Sequence, residues 1–377
     1  MFDWFQKKSG GAGTSRAGRG GATPAWLWGL EEGEPPRGYE ARARVALERN
    51  PVASRAIRLL AESVGGAPYA VTGGAAVEAL LARPNARTSG AAFMERLAAH
   101  LVMHGNAYVE AAEDGAGRPA ELHVLAPERM RVETDAAGWP CGFLYRAGTR
   151  EVRLPAPGEE AGGVLHIRAL SPLDEHYGLG SLAAAAGAIH AHEEAAKWNR
   201  ALLKNAARPS GALMFAPKDE GGLSGEQFDR LRAEMDAEFS GAAKAGRPLL
   251  LEGGLSWVPL SMTPADMDFA EGQRMAAREI ALAFGVPPLI LGLPGDNTYA
   301  NYAEANRALW RQTVLPLAGR IAGELSGWLA HWWPEAAMRV DVDRVPALAA
   351  DRAKLWEQVS RADFLPPEEK RRLLGLG

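Results

Sequence analysis

The chain of 377 residues is long enough for two or three domains with a substantial core. Hydrophobic residues make up 47% and charged residues 23%, as in ordinary globular proteins, and no run approaches the ~18 consecutive apolar residues that a membrane helix needs. The net charge of -4 argues against a tight, nonspecific DNA-binding protein, because such affinity comes from Lys and Arg neutralising phosphates. The single cysteine, Cys141, excludes an internal disulfide and a cysteine-based metal cluster.

Residues 1–40 are predicted to form a flexible N-terminal arm. Residues 6–24 are mainly Gly, Ser and basic residues, with almost nothing to bury. The start, MFDWFQKKSGG, lacks the apolar core of a secretory signal, so we expect no export. Trp26 and Trp28 follow in PAWLWGL. Two interpretations of these tryptophans stay open, since they either pack on their own domain or dock on a neighbouring subunit.

The pattern of residues 41–180 predicts an α+β domain. Apolar residues at helical spacing predict one helix from about 42 to 64 and a second from about 90 to 104, each followed by glycine. A strand in NAYVEAA and a β-rich stretch from 122 to 168 come next, broken by turns. Helices followed by a small set of antiparallel strands are typical of the α+β class.

Two long helices are predicted to flank a compact insert. Residues 181–206 form an alanine-rich helix with a thin apolar stripe of Leu182, Ile189, Trp198 and Leu202. Small residues on such a helix permit close approach of helices in an assembly. The insert, 207–263, predicts strands on both sides of a helix. The second long helix begins with Thr263 as N-cap and Pro264 at its first position, and it runs to about 283.

The segment FGVPPLILGLPGDNTYANYAEANR, residues 284–307, joins a stiff apolar run to turn residues and then to a helix start. Asn301 and Glu304 predict a start resembling a capping box for a helix that runs to about 332. Pro316 lies inside that pattern and predicts a kink or restart. The segment from Pro334 predicts one short strand, MRVDV, and one or two polar helices.

Chemical motifs are weak throughout the sequence. His100 and His104 have an i, i+4 spacing that suits zinc, but no third ligand is near in sequence, so we predict no metal site. The aspartate pairs 266/268 and 341/343 are interpreted as structural or solvated rather than as a nuclease site. The sequence has no phosphate loop, nucleophile elbow or dinucleotide fingerprint. These absences predict a protein that is not an enzyme and needs no cofactor.

One basic stripe has two open interpretations. Its members are spaced three and four apart near the end of the alanine-rich helix: Lys197, Arg200, Lys204 and Arg208. The stripe either faces a passing phosphate backbone or forms a solvated surface in which Glu193 pairs with Lys197.

Three stretches, in this order, resemble the portal proteins of tailed double-stranded DNA phages, of the HK97-like type. They are MHGNAYVE (103–110), VLHIRALSPLDEHYGLGSL (164–182) and REIALAFGVPPLILGLPGDNTYANYAEANRALWRQTVLPL (278–317). The resemblance covers about residues 40–332. It implies a portal-type α+β fold with these parts: wing 41–180, first stem helix 181–206, clip 207–263, second stem helix 264–284, tunnel loop 285–300, tunnel helix and wing 301–332, and a reduced helical crown 333–377.

The resemblance also implies a function. Such proteins form a homo-oligomeric ring, usually twelvefold, at one capsid vertex. The ring is the conduit for DNA packaging and ejection and the docking site for the terminase large subunit and a head-tail adaptor protein. Contact with the major capsid protein, no membrane partner, and a location in the virion and in the host cytoplasm during assembly follow from the same resemblance.

Two sets of residues take roles from the resemblance. The tunnel loop would place these residues towards DNA in the channel: Pro294, Gly295, Asp296, Asn297, Thr298 and Tyr299. The clip would use Phe228, Leu231 and Trp257 to dock partners. High Arg, Ala and Gly usage and the short C-terminal segment further resemble the portal of a gene transfer agent particle.

Two alternatives to a portal are considered. One is a head-tail adaptor or another ring protein of the neck, although adaptors are usually smaller and mostly helical. The other is a DNA-processing packaging enzyme such as a terminase nuclease. That enzyme predicts a phosphate loop or a compact carboxylate cluster, and the sequence shows neither.

Overall fold

Helices and strands both contribute to the fold, as the sequence predicts. The computed structural model describes residues 38–156, 163–204, 211–215, 224–226, 229–230, 233, 255–259, 269–295 and 298–375. The principal helices are α1 Tyr39–Arg44, α2 Pro51–Gly65, α3 Ala75–Ala82, α4 Gly90–His104, α5 Ser181–Lys204, α6 Phe269–Ala283, α7 Tyr299–Leu309, α8 Leu315–Leu329, α9 Ala349–Arg361 and α10 Pro367–Leu373. The strands are β1 Tyr69–Thr72, β2 Asn106–Glu113, β3 Pro119–Leu125, β4 Met130–Thr134, β5 Pro140–Ala147, β6 Arg150–Pro155, β7 Leu165–Arg168, β8 Gly211–Phe215, β9 Leu255–Pro259 and β10 Ala337–Val340.

The strands form small antiparallel sheets. Two sheets have three strands each, in the orders β3-β2-β7 and β4-β5-β6. Two more are pairs, β1 with β10 and β8 with β9. In the first three-stranded sheet, the consecutive strands β2 and β3 pair with each other, and β7, which comes later in the chain, pairs with the other edge of β2. This arrangement confirms the predicted antiparallel set that follows the first helices.

The main core lies where α2, α4 and α8 pack together. Leu60, Leu97, Ile321 and Leu325 are buried there. Burial of side chains of this size contributes roughly 1.5–3 kcal/mol each. A smaller core around Tyr108 lies between the two three-stranded sheets. In the described part of the chain, no helix is both long and apolar enough to span a membrane.

The prediction of one helix from 42 to 64 is wrong. The chain forms α1, a π-helical turn over Val45–Arg49, and then α2. Asn50 separates them, because its backbone is extended and its side-chain Oδ1 accepts the Ala53 backbone N–H at 3.0 Å. Asn50 is therefore the N-cap of α2, with Pro51 at the first helical position. The second predicted helix is confirmed as α4, which ends at Gly105 in the left-handed conformation (φ 84°).

The segment between these helices holds two elements that the sequence patterns did not predict, β1 and α3. Strand β1 pairs antiparallel with β10, from Tyr69 opposite Val340 to Thr72 opposite Ala337. The strand in MRVDV is thus confirmed, and it lies in one sheet with a strand near the N-terminus.

The helix after the candidate tunnel loop begins earlier than predicted. It starts at Tyr299, and the Thr298 hydroxyl caps it by accepting the Asn301 backbone N–H at 3.2 Å. Asn301 is therefore a donor in the first turn, and the prediction that it opens the helix is wrong. The predicted restart before Pro316 is confirmed as a π-helical turn over Trp310–Val314, after which α8 continues. The wider turn accommodates proline, which lacks an N–H for the regular ladder.

Candidate functional site

The two long helices α5 and α6 pack against each other. Leu182 and Ile189 of α5 and Ile280 of α6 are buried, so the thin apolar stripe predicted for α5 does face a neighbour. The opposite face of α5 is exposed and carries small residues, among them Ala184 and Gly187. Trp198, which the sequence pattern assigned to the stripe, is exposed on 41% of its surface.

A buried polar contact fixes α5 against the start of α2. Asn50 is only 1% exposed, and its amide nitrogen lies 3.3 Å from Nδ1 of His192 and 3.5 Å from the carbonyl of Ile189. Burial lowers the pKa of His192, which favours the neutral ring in this contact. Sequence patterns missed this role of Asn50, although the Asn-Pro pair is a recognisable helix-start signal.

The segment after α6, which we call the bracket, is predicted to be stiff from its prolines, and it is anchored by buried side chains and one hydrogen bond. Phe284 and Val286 are buried on either side of Gly285, which has φ 65°. The Thr313 hydroxyl donates to the Gly285 carbonyl at 2.6 Å, so the bracket is fastened to the π-helical turn before α8. A 3-10 turn, Pro288–Leu291, follows and ends at Gly292 with φ 73°.

One arginine of α6 holds the start of the candidate tunnel loop. The Arg278 guanidinium donates to the Pro294 carbonyl at 2.7 Å. An open cleft of about 440 Å³ lies beside this contact, and its lining includes His192, Arg274, Arg278 and Pro294. The loop therefore begins at a defined place on the α5–α6 pair.

The residues predicted to face the channel fall into three groups. Pro294, Gly295 and Thr298 are exposed. Tyr299 is the first residue of α7 rather than part of a loop, so the loop is shorter than the predicted range 285–300. Asp296 and Asn297 lie outside the described residues. Orientation towards a channel stays a prediction for all of them.

The predicted basic stripe begins on the exposed surface of α5. The Lys197 ammonium lies 2.8 Å from Oε1 of Glu194 and 3.8 Å from Oε1 of Glu193. Arg200 donates to the Ala196 carbonyl one turn back at 3.2 Å. Lys204 is the last residue of α5, and Arg208 lies outside the described residues. The pair with Glu194 is exposed and contributes at most ~1 kcal/mol, whereas Glu193 is buried and only 9% exposed.

The predicted clip is described only in part. β8 and β9 pair antiparallel, with Leu213 opposite Trp257. Phe228 and Leu231 lie outside the described residues. A docking role for these three residues stays a prediction.

Asn106 joins three parts of the chain, and sequence patterns gave it no role. Its side-chain Oδ1 accepts the Gly178 N–H at 2.8 Å and its Nδ2 donates to the Gly178 carbonyl at 3.0 Å, as a peptide group does in a sheet. The same side chain lies 3.0 Å from Nε2 of His166 and 3.1 Å from Nδ1 of His104. Asn106 thereby ties the end of α4 and strand β7 to the loop that precedes α5.

Glycines allow the backbones of the segments tied together by Asn106 to approach closely, and we call this place the junction. A Cβ atom on Gly178 would lie 2.1 Å from the Gly105 carbonyl oxygen, and one on Gly180 would lie 2.3 Å from the Met103 carbonyl oxygen. Real Cβ atoms do not approach backbone this closely, so only glycine fits. The two short motifs HGN (104–106) and GLG (178–180), which lie in stretches that carry the portal resemblance, form one contact in space.

Buried imidazoles surround the junction. Burial lowers the pKa of His166 to about 3, with smaller contributions from its electrostatic interactions with Arg168 and His104. Burial likewise lowers the pKa of His100 to about 4, with Arg96 and His104 adding to it, and the pKa of His104 to about 4. His166 stacks on Tyr108 with ring centroids 4.2 Å apart. Neutral rings in these positions are part of the packing.

Neither suspected metal centre gathers ligands where the chain is described. His104 contacts Tyr39 edge to face at 4.6 Å, and its Nδ1 faces Asn106 rather than His100. Asp343 pairs with Arg352 and accepts from the indole of Trp356 at 3.4 Å. Asp266 and Asp268 lie outside the described residues. Among described residues, no three His, Cys, Asp or Glu side chains are placed to bind a metal ion together.

Comparisons with known proteins identify the family. The family model for phage portal proteins matches residues 51–375. A protein of Rickettsia bellii is 40% identical over 343 residues, which is 88% of each chain. The probable portal protein of Streptomyces phage phiC31 is 27% identical over 284 residues, covering 70% of this chain and 60% of that protein.

Solved structures agree with the family model. A chain in the virion of a native gene transfer agent particle is 45% identical, has a TM-score of 0.71, and is matched over 92% of this chain and 96% of that chain. The neck of the native particle, computed with C12 symmetry, gives a TM-score of 0.70 at the same identity and coverage. An HK97 family phage portal protein from Corynebacterium diphtheriae shares the fold at 18% identity, with a TM-score of 0.60 over 83% of this chain and 99% of that one. The chain therefore belongs to the phage portal protein family, and its function is that of a portal protein.

Proposed function

We propose that this chain assembles into a twelvefold ring at one vertex of a capsid and that double-stranded DNA passes through the ring during packaging and ejection. The observation that carries the proposal is the 45% identity, over 92% of the chain, to a protein in the neck of a particle with C12 symmetry. The same similarity supports a particle of the gene-transfer-agent type. Host cytoplasm as the place of assembly is part of the proposal.

The arrangement of α5, α6 and the loop supports a channel role. The α5–α6 pair is the proposed stem, and Arg278 fastens the start of the proposed tunnel loop to it. The exposed part of that loop carries small residues, Pro294 and Gly295, with no basic side chain among residues 293–300. Many basic contacts would hold phosphates strongly and slow transport, so a loop without them suits moving DNA.

Partners are assigned to the ring by its proposed position. The terminase large subunit and a head-tail adaptor protein would dock on the clip, 207–263, and the major capsid protein would surround the wing. Portal proteins are a structural family. We accordingly propose that the chain has no ATPase or nuclease activity of its own and that packaging energy comes from a partner.

Ring formation is directly measurable. Twelve copies of the 40.2 kDa chain give a particle of about 480 kDa. Mass photometry and negative-stain class averages of the purified protein should show rings with a central hole, alone or after addition of capsid protein. Monomers alone under all these conditions, and in particles taken from cells, would reject the proposal.

The basic stripe has its own test. Lys197→Glu with Lys204→Glu should lower the DNA content of assembled particles while rings still form, because the change places negative charge beside the passing phosphates. Particle DNA is measured by nuclease-protected quantitative PCR, and ring formation by mass photometry. If fewer rings form but the particles that do assemble hold a normal amount of DNA, the stripe serves subunit packing instead.

A further inference from the structure

The loop between β7 and α5 presents large apolar side chains to solvent. Leu170 is 79% exposed, Leu173 93% and Leu179 55%. We call these three residues the leucine patch. Single exposed leucines are common, but three within ten residues of one loop are a candidate for contact with another part of the protein.

The loop is held in place, so the exposure does not come from a loose conformation. Oδ1 of Asp174 accepts the backbone N–H groups of His176 and Tyr177, each at 2.8 Å. The Tyr177 hydroxyl accepts the Val132 backbone N–H at 2.8 Å, and the Asn106 amide holds Gly178. A rigid loop that displays leucines would expose apolar surface permanently unless something covers it.

The two ends of the leucine patch lie close together. A Cβ atom on Gly178 would lie 2.5 Å from the backbone nitrogen of Ala169, so the residues before Leu179 and before Leu170 are in contact. The Ala169 N–H also donates to the Gly105 carbonyl at 2.7 Å. The backbones of Leu170 and Leu179 therefore lie next to each other at the surface.

The N-terminal end of the described chain lies next to the same place. The Tyr39 ring packs on His104 at 4.6 Å, and Gly105 follows His104 in direct contact with the backbone of Leu179. Gly38 turns the chain into α1 with φ 93°. Gly38, the first described residue, therefore lies near the leucine patch.

The sequence just before this point contains an apolar segment of matching character. Residues 26–30 read Trp-Leu-Trp-Gly-Leu, and eight residues, EEGEPPRG, connect them to Tyr39. An extended chain covers about 3.3 Å per residue, so eight residues reach about 26 Å. Pro35 and Pro36 favour the extended form.

We propose that residues 26–30 of the same chain dock on the leucine patch and fasten the N-terminal arm to the loop in front of α5. Two indole rings and two leucines against three exposed leucines bury apolar surface on both sides, and the short connection limits the entropic cost of closing the contact. This contact is independent of ring formation, since both partners belong to one chain.

Hydroxyl-radical footprinting with mass spectrometry tests this directly, because it reports solvent access to individual leucine side chains. Removal of residues 1–30 should raise oxidation of the leucine patch at least several-fold, whereas removal of residues 1–24 should leave it unchanged. Leu282 of α6, 80% exposed, is the internal control, and its oxidation should be the same in all forms. Equal oxidation of the leucine patch in the two truncated forms would overturn the proposal.

A disulfide experiment separates the same chain from a neighbouring copy. In a Cys141→Ser background, Ala25→Cys with Ser171→Cys should form a disulfide within one chain, which migrates as a monomer on a non-reducing gel. Each single-cysteine variant is the control. A crosslinked dimer or ladder shows that another copy occupies the leucine patch, and that result overturns the proposal, as does the absence of any disulfide under oxidising conditions.

Discussion

Acid should lower the free energy of unfolding of this protein through its buried histidines, and His100 is the residue best suited to measure the effect. Its Nε2 is buried without a hydrogen-bond partner among described residues, and burial holds its pKa at about 4, below the ordinary 6.5. A group whose pKa is lower in the folded state takes up protons mainly on unfolding. Stability is therefore complete above pH 6.5 and is lost as the pH falls from 6.5 towards 4.

The magnitude follows from the two pKa values. A pH of 5 lies about 1.5 units below the pKa of the imidazole in the unfolded chain, so the unfolded side chain is mostly protonated while the folded one stays mostly neutral. This difference lowers the free energy of unfolding by about 2 kcal/mol. His104 and His166 have similarly lowered pKa values, to about 4 and about 3. His104 interacts with both His100 and His166, so the three contributions do not simply add, and His100 alone is used for the test.

The test compares wild type with His100→Leu by urea unfolding, followed by circular dichroism, at pH 7.5, 6.5, 5.5 and 5.0. Leucine fills a similar volume and does not titrate, so the variant should gain about 2 kcal/mol relative to wild type between pH 7.5 and 5.0. His123→Gln, at a half-buried histidine that contacts Glu121 at 3.0 Å, is the matched histidine substitution with which His100→Leu is compared. Parallel loss of stability in wild type and His100→Leu would refute the reasoning.

Two further predictions concern the junction and the loop. Gly178→Ala should lower the melting temperature strongly or prevent folding, because the new Cβ would meet the Gly105 carbonyl at 2.1 Å, whereas Gly187→Ala on the open surface of α5 should not destabilise the isolated chain. A higher melting temperature for Gly178→Ala would contradict the steric argument. Arg278→Met should release the Pro294 carbonyl and reduce DNA retention in particles with normal rings, while Arg274→Met, which breaks only the exposed pair with Glu271, should retain DNA normally. Equal retention in the two variants would remove the role assigned to Arg278.

Much of this fold follows from local patterns that act over short distances. Helix α4 could be predicted because Ser89, the apolar spacing and Gly105 act within one helix. The bracket after α6 could be predicted because prolines restrict their own backbone. The exact start of α7 could not, since Thr298 and Asn301 are both acceptable N-caps and lie only three residues apart.

The tertiary structure decided the contacts between distant residues. Asn106 meets Gly178 across 72 positions, Asn50 meets His192 across 142, and β1 pairs with β10 at the other end of the chain. Hydrogen bonds between residues this far apart produce no periodic pattern in a single sequence. Each partner is compatible with the local secondary structure of its own segment, so neither one reveals the other. The order of three motif stretches already indicated a portal protein. The folded chain explains two of them physically, because the glycines of HGN and GLG occupy one site where backbone touches backbone and no other residue fits.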